Sequence, residues 1–185
     1  MKFRLQKLLS NLAPYRDVLV FVVTLFAADA VWKLMVSGDE SANTIAVCGV
    51  DLTRQFFVLE SHITDCVEWI VSLWRDDLVR TNENTLLWET GGGSRIVWSC
   101  TPVKQSFIWL CLMLTTAGGW WHKMWYIPVG WLLMYGFNIL RIVCATMVVA
   151  EHPEYFVLAH EYILKYLFYG FMFLMWVLFV EKIRN

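Results

Sequence analysis

Four long apolar stretches dominate the chain, and they alternate with short polar segments and one long segment of mixed character. The apolar stretches cover residues 18–36, 102–118, 125–150 and 156–180. Roughly 20 mostly apolar residues are needed for a helix to cross a bilayer. The pattern therefore predicts an all-α integral membrane bundle of about four transmembrane helices, in a single polytopic domain over residues 1–185. The first stretch is too long, and with Asp29 too charged within, for a cleavable signal peptide with a small-residue exit site, so we interpret it as a retained anchor.

The outer region, residues 37–99, has a different pattern. Its apolar positions recur at intervals of three and four, at Leu52, Phe56, Leu59, Ile63, Val67, Ile70 and Trp74. This spacing is typical of an amphipathic helix. Charges such as Arg54, Glu60 and Asp65 interrupt the apolar positions and would be costly in hydrocarbon, which argues against a fifth span. We expect one or two helices that lie on the outer membrane face or cover the bundle, followed by a small Gly-rich hairpin or loop over residues 81–99.

Composition and charge support a membrane protein and set its orientation. The 185 residues are 58% hydrophobic and carry a net charge of −1, which leaves no electrostatic basis for a nucleic-acid partner. Three groups of basic residues near the span ends fall on the same side of a four-span arrangement: Lys2, Arg4, Lys7 and Arg16, then Lys123, then Lys182 and Arg184. The segment 37–99 on the other side has ten acidic residues and four arginines. The positive-inside rule then predicts cytoplasmic N- and C-termini, with residues 37–99 outside the membrane.

Cys100 stands immediately before the second apolar stretch, in the sequence Cys100-Thr101-Pro102. Proline suits the first turn of a helix, and Thr101 is expected to cap it. The thiol would then lie at a helix N-terminus on the outer side, where the helix dipole favours a thiolate.

Arg141 and His160 lie at nearly equal distances from the turn that joins the last two spans, near residues 151–153. In an antiparallel helical hairpin, equal offsets bring both side chains to a similar depth, about 10–15 Å below the tip. Ionisable residues inside spans are functional candidates. A thiolate could attack a peptide carbonyl, an imidazole could transfer protons, and a guanidinium could stabilise the oxyanion.

The order Cys100, then "NILRI" with Asn138 and Arg141, then His160 resembles the exosortase/archaeosortase family, over about residues 90–182. The compact chain is similar to the small Bacteroidetes-type members. The resemblance implies a membrane cysteine transpeptidase or protease in the bacterial inner membrane, with an extracytoplasmic active site. Such an enzyme cuts a C-terminal sorting signal (a motif, a transmembrane helix and a basic tail) from exported proteins and transfers the new C-terminus to an acceptor.

The resemblance also implies roles for residues. Cys100 would be the nucleophile, Arg141 the stabiliser of the transition state and His160 the general acid and base. Asn138, Thr101 and Ser106 are expected to bind substrate or support the site. The family often has glycine two residues after the nucleophile, where this chain has Pro102.

Other assignments are open at this point. A non-enzymatic accessory protein could bind a partner transmembrane helix in the same groove and pair Arg141 with a partner carboxylate. No metal or cofactor is expected, because the histidines lack zinc-binding spacing. Cys111 and Cys144 are interpreted as packing residues, and Cys48 could form a disulfide with Cys66. Asp29 could pair with Arg141 or Lys33.

Overall fold

The computed structural model describes residues 15–89 and 91–183, and it is mostly helical with two small antiparallel sheets. The prediction of an all-α fold was therefore too simple. Lys2, Arg4, Lys7 and Arg184, on which part of the orientation rests, lie outside the described residues. The helices are α1 (Arg16–Met35), α2 (Thr53–Ser72), α3 (Val103–Thr115), α4 (Trp120–Glu151) and α5 (Leu164–Leu178). Short 3-10 turns cover Trp98–Cys100 and Pro153–Tyr155, and π-helical segments cover Leu158–Ile163 and Phe179–Ile183.

Within residues 15–89 and 91–183, three helices are long and apolar enough to cross a membrane: α1, α4 and the continuous helix Leu158–Ile183 that contains α5. They correspond to three of the four predicted spans. The remaining predicted span, residues 102–118, forms α3, which has 13 residues and is about 20 Å long. That length is shorter than the usual hydrocarbon thickness of about 30 Å.

The first of two hydrophobic cores joins α1, α3, α4 and α5. Its largest fully buried side chains include Trp109, Phe168 and Phe179. Gly130 lets α4 approach the indole of Trp109 on α3, because a Cβ at position 130 would lie 2.2 Å from the indole nitrogen. The helical bundle is thus closely packed below the site described in the next subsection.

The second core belongs to the outer region. The predicted amphipathic helix is α2, and its buried face includes Ile63, Val67 and Val71. This face packs with Ile142 and Val149 of α4. The helix runs alongside the C-terminal half of α4. His62, at the middle of α2, contacts the Tyr135 hydroxyl at 2.5 Å, and Arg75, beyond the C-terminal end of α2, is 3.5 Å from Glu151.

Two three-stranded antiparallel sheets complete the outer region, each with its strands in sequence order. The first consists of β1 (Val36–Asp39), β2 (Thr44–Val47) and β3 (Val50–Asp51), and the sequence pattern had not predicted it. The second consists of β4 (Leu78–Asn82), β5 (Thr85–Trp88) and β6 (Gly93–Arg95), which confirms and extends the predicted hairpin. The indole N–H of Trp88 donates to the Thr146 carbonyl at 3.1 Å, which anchors the second sheet on α4.

Candidate active site

The three residues predicted to carry the chemistry line one cavity of about 580 Å³: Cys100, Arg141 and His160. They come from three separate elements, namely a 3-10 turn, α4 and the π-helical segment Leu158–Ile163. The equal offsets of Arg141 and His160 from the hairpin turn indeed bring both residues to the same cavity.

Cys100 ends the 3-10 turn, and α3 begins three residues later at Val103. Thr101 does not cap α3 as expected. Its hydroxyl donates backward to the Trp98 carbonyl at 2.7 Å, and Pro102 occupies the cap position without a side-chain bond. The backbone of Cys100 also donates to the Val97 carbonyl at 2.8 Å, so local hydrogen bonds fix the turn that carries the thiol.

The expectation of a stabilised thiolate is not supported. Burial raises the pKa of the Cys100 thiol above its ordinary value of 9.0, although the nearby charge of Arg141 acts in the opposite direction. Desolvation disfavours the charged form of a thiol. Burial therefore favours the protonated thiol of Cys100, and an attack by its sulfur would need a base.

Asn138 and Arg141 both donate to the backbone carbonyl of Cys100. The Asn138 amide nitrogen is 2.9 Å from this oxygen, and an Arg141 guanidinium nitrogen is 3.4 Å from it. Asn138 is fully buried and Arg141 is 7% exposed. The guanidinium also lies 5.9 Å from the centroid of the Phe168 ring. Helix α4 thus presents two donors, one turn apart, that hold the residue carrying the thiol.

His160 reaches the cavity from a π-helical segment, a form of helix that is frequent at functional sites. Its ring stacks on Phe156, with the centroids 5.2 Å apart and the planes 14° from parallel. Phe156 also lines the cavity. The stacking fixes one face of the imidazole against Phe156.

The cavity is strongly cationic, which sequence reasoning missed. Its wall among the described residues includes five cationic side chains: Lys33, Arg95, Lys104, Arg141 and Lys165. The carboxylate in this wall is Glu40. Behind the wall, Asp29 is 2.7 Å from the Lys33 ammonium and 2.5 Å from that of Lys104. One sequence feature could have indicated the cationic wall: a lysine follows each of two predicted site residues by four or five positions, Lys104 after Cys100 and Lys165 after His160.

Other predicted residues lie elsewhere. Ser106 is not among the described residues that line the cavity, and its carbonyl accepts the indole N–H of Trp131 at 3.1 Å. All five cysteines are free, so Cys48 and Cys66 form no disulfide in this structure. Cys144 is exposed rather than packed, while Cys111 packs partly against the bundle core. The Lys33 alternative for Asp29 is confirmed.

No protein-family model, curated protein or solved structure matches the chain. The chemistry of the cavity is therefore the basis for a functional proposal.

Proposed function

We propose that the protein is a membrane cysteine transpeptidase or peptidase of the exosortase type, which cleaves a C-terminal sorting signal from exported proteins outside the membrane. The single observation that carries this proposal is the cavity that Cys100, Arg141 and His160 share. A thiol, an imidazole and a guanidinium around one space provide a nucleophile, a proton carrier and an oxyanion donor.

The reaction follows from these groups. His160 accepts the Cys100 proton as the sulfur attacks the scissile carbonyl, and Arg141 donates to the oxyanion that forms. When the C–N bond breaks, His160 returns the proton to the leaving amine and a thioester remains on Cys100. An acceptor amine, or water, then attacks the thioester, its proton passes through His160 to the sulfur, and the free thiol is regenerated.

The two donors to the Cys100 carbonyl, Asn138 and Arg141, have different roles in this mechanism. The Asn138 bond at 2.9 Å has ordinary length, whereas the Arg141 bond at 3.4 Å is long. Asn138 holds the backbone of the nucleophile. Arg141, whose bond to this carbonyl is the longer of the two, donates to the substrate oxyanion as charge develops there.

Helix length supports a site at the outer membrane surface. Helix α4 has 32 residues and is about 48 Å long, well beyond a hydrocarbon core of about 30 Å. Arg141 lies roughly 30 Å along the helix from Trp120. With exposed Trp120 and Trp121 at the inner interface, Arg141 reaches the outer interface and avoids the cost of a charge at the bilayer centre.

The excess of cationic side chains indicates that the bound segment carries negative charge. Lys33 comes from α1, Lys104 from α3 and Lys165 from α5, and Arg95 comes from β6. Clefts lined by charge of one sign attract ligands of the opposite sign. We therefore expect an acidic group in the substrate segment that enters the cavity.

The test uses chromosomal Cys100→Ala in the native host, with mass spectrometry of the C-terminal peptides of exported proteins. Proteins that end in an apolar helix and a basic cluster should keep their tails in this strain. Cys144→Ala is the matched control, because it removes an exposed thiol outside the cavity wall. Normal processing in the Cys100→Ala strain, with the protein present at wild-type level, overturns the assignment.

A second candidate is a non-enzymatic accessory protein that binds a partner transmembrane helix. The supporting observation is the exposed apolar face around His160, which includes Val157, Leu158, Tyr162 and Ile163. A partner helix could cover this face, with its carboxylate beside Arg141. Binding would survive Cys100→Ser, whereas acyl transfer through a thioester would not, so this variant distinguishes the two functions.

A further inference from the structure

Glu60 is a carboxylate in the core of the outer region, and the proposed mechanism does not use it. It lies on α2 and is 1% exposed. Burial raises the pKa of Glu60, and Arg95 supplies a nearby opposite charge. Burying such a group is costly, and an apolar residue of similar size often replaces a buried charge without loss of stability. The position of this carboxylate therefore needs a reason beyond packing.

The bonds of Glu60 connect separate parts of the outer region. One carboxylate oxygen accepts both the Asn43 amide at 2.7 Å and the Asn84 amide at 3.2 Å. Asn43 lies in the turn between β1 and β2, and Asn84 lies in the turn between β4 and β5. Glu60 thus ties both sheets to α2 through one oxygen atom.

Asn84 carries the connection onward to the nucleophile. Its side-chain amide also donates to the Ile96 carbonyl at 3.0 Å, and the Ile96 amide donates to the Asn84 carbonyl at 2.8 Å. Ile96 is 1% exposed and lies four residues before Cys100. The turn that carries the thiol is therefore fixed on both sides, by Asn84 before it and by the α4 donors on the Cys100 carbonyl.

We infer that Glu60 is a positioning residue for Cys100, acting through Asn84 and Ile96. The expected effect of Glu60 on processing rests on the proposed function, whereas its effect on the position of the Cys100 turn does not. The two asparagines provide a matched pair, because each donates to the same oxygen while Asn84 alone of the two also binds Ile96.

The experiment compares Asn84→Ala with Asn43→Ala in the full-length protein. One measurement is the rate of Cys100 alkylation by iodoacetamide, followed by mass spectrometry of the peptide that contains it. Two others are the thermal midpoint and the processing of exported C-termini in the native host. Asn84→Ala should raise the alkylation rate about tenfold and lower processing about tenfold, since it frees the turn from a hydrogen bond to a charged network. Asn43→Ala should lower the thermal midpoint but leave both rates within about twofold.

Glu60→Leu covers the case in which Asn84→Ala does not fold. Leucine fills the space but accepts no hydrogen bond, so the folded variant should also show faster Cys100 alkylation. Equal effects of the two asparagine variants, or a folded Glu60→Leu variant with wild-type alkylation, overturn the inference. Alkylation needs no substrate. If Cys100→Ala leaves processing intact, the proposed function fails while the alkylation rates still decide the role of Glu60.

Discussion

Replacing Gly130 with alanine tests whether the contact between α3 and α4 supports the site. A Cβ at position 130 would lie 2.2, 2.5 and 2.8 Å from three atoms of the Trp109 indole. Real Cβ contacts essentially never fall below 3.0 Å. Trp109 is fully buried and its ring centroid is 5.7 Å from that of Tyr126, so the indole has little room to retreat. The two helices must therefore separate by about 1 Å, at a cost of about 1–3 kcal/mol for an overpacked core.

The separation should also affect the nucleophile. Helix α3 begins three residues after Cys100, whose carbonyl is 2.9 Å from the Asn138 amide. An added 1 Å takes this distance beyond hydrogen-bonding range. We expect Gly130→Ala to lower the thermal midpoint by about 2–12 °C, given about 2–4 °C per kcal/mol for a chain of this size. Processing of exported C-termini should fall with it.

Gly136→Ala is the control within the same helix, because a Cβ at this position would have no heavy atom within 4 Å beyond its chain neighbours and the adjacent helix backbone. Alanine is the better helix former, so this variant should match or slightly exceed wild-type stability. Trp109→Phe should partly rescue Gly130→Ala, since phenylalanine lacks the indole nitrogen that the new methyl group meets. Wild-type stability of Gly130→Ala, or an equal loss in Gly136→Ala, refutes the reasoning. Thermal unfolding in detergent measures the three variants beside the wild type.

Three further predictions concern charge. Because burial raises the pKa of the Cys100 thiol, the rate of its alkylation by iodoacetamide should still increase with pH through pH 9. Arg141→Gln removes a charge that lowers this pKa, so the increase in rate should move to higher pH in that variant. An alkylation rate that levels off below pH 8 in the wild type contradicts this prediction. Lys104→Gln should weaken substrate binding and its dependence on salt, whereas the exposed Arg54→Gln should change neither in a processing assay with purified protein. Since its folded pKa is raised above 4.5, Glu60 favours folding in its protonated form, and this contribution is lost as the pH rises through the raised value. The amides of Asn43 and Asn84 and the charge of Arg95 partly offset this loss. Glu60→Gln should therefore gain thermal stability over wild type as the pH rises above 4.5, and a constant difference between the two proteins contradicts the assignment.

The periodicity of apolar residues was enough to predict the long helices and α2, because burial in a bilayer or against a bundle leaves a direct pattern in the sequence. The first sheet left no such pattern. Its strands have four, four and two residues, too few for alternation to distinguish them from loop. It forms because β1 follows α1 directly and pairs with β2 along the whole of its length.

Glu60 shows why a local pattern can mislead. Among the apolar positions of α2, a charged residue is most simply interpreted as facing solvent. The structure instead buries it, because two amide groups 17 and 24 residues away in the chain converge on its carboxylate. Partners at such separation are set by the packing of turns onto a helix, and no spacing rule within one helix predicts them. The cationic wall of the cavity could not be predicted for the same reason. Its lysines and arginines come from elements that are far apart in the chain, namely α1, β6, α3, α4 and α5.

The shared role of α4 explains how these distant segments form one site. Met134 of this helix belongs to the bundle core, whereas Ile139, Ile142 and Val143 belong to the outer core. Asn138 and Arg141 lie at the boundary between the two, and both donate to the carbonyl of Cys100, three residues before α3. The turn with Cys100 follows the last strand of the outer region in the chain, whereas His160 follows the turn that comes after the end of α4. A change in either core therefore reaches the nucleophile through the same carbonyl oxygen, which is why variants as far apart as Gly130→Ala and Asn84→Ala are expected to alter the same thiol.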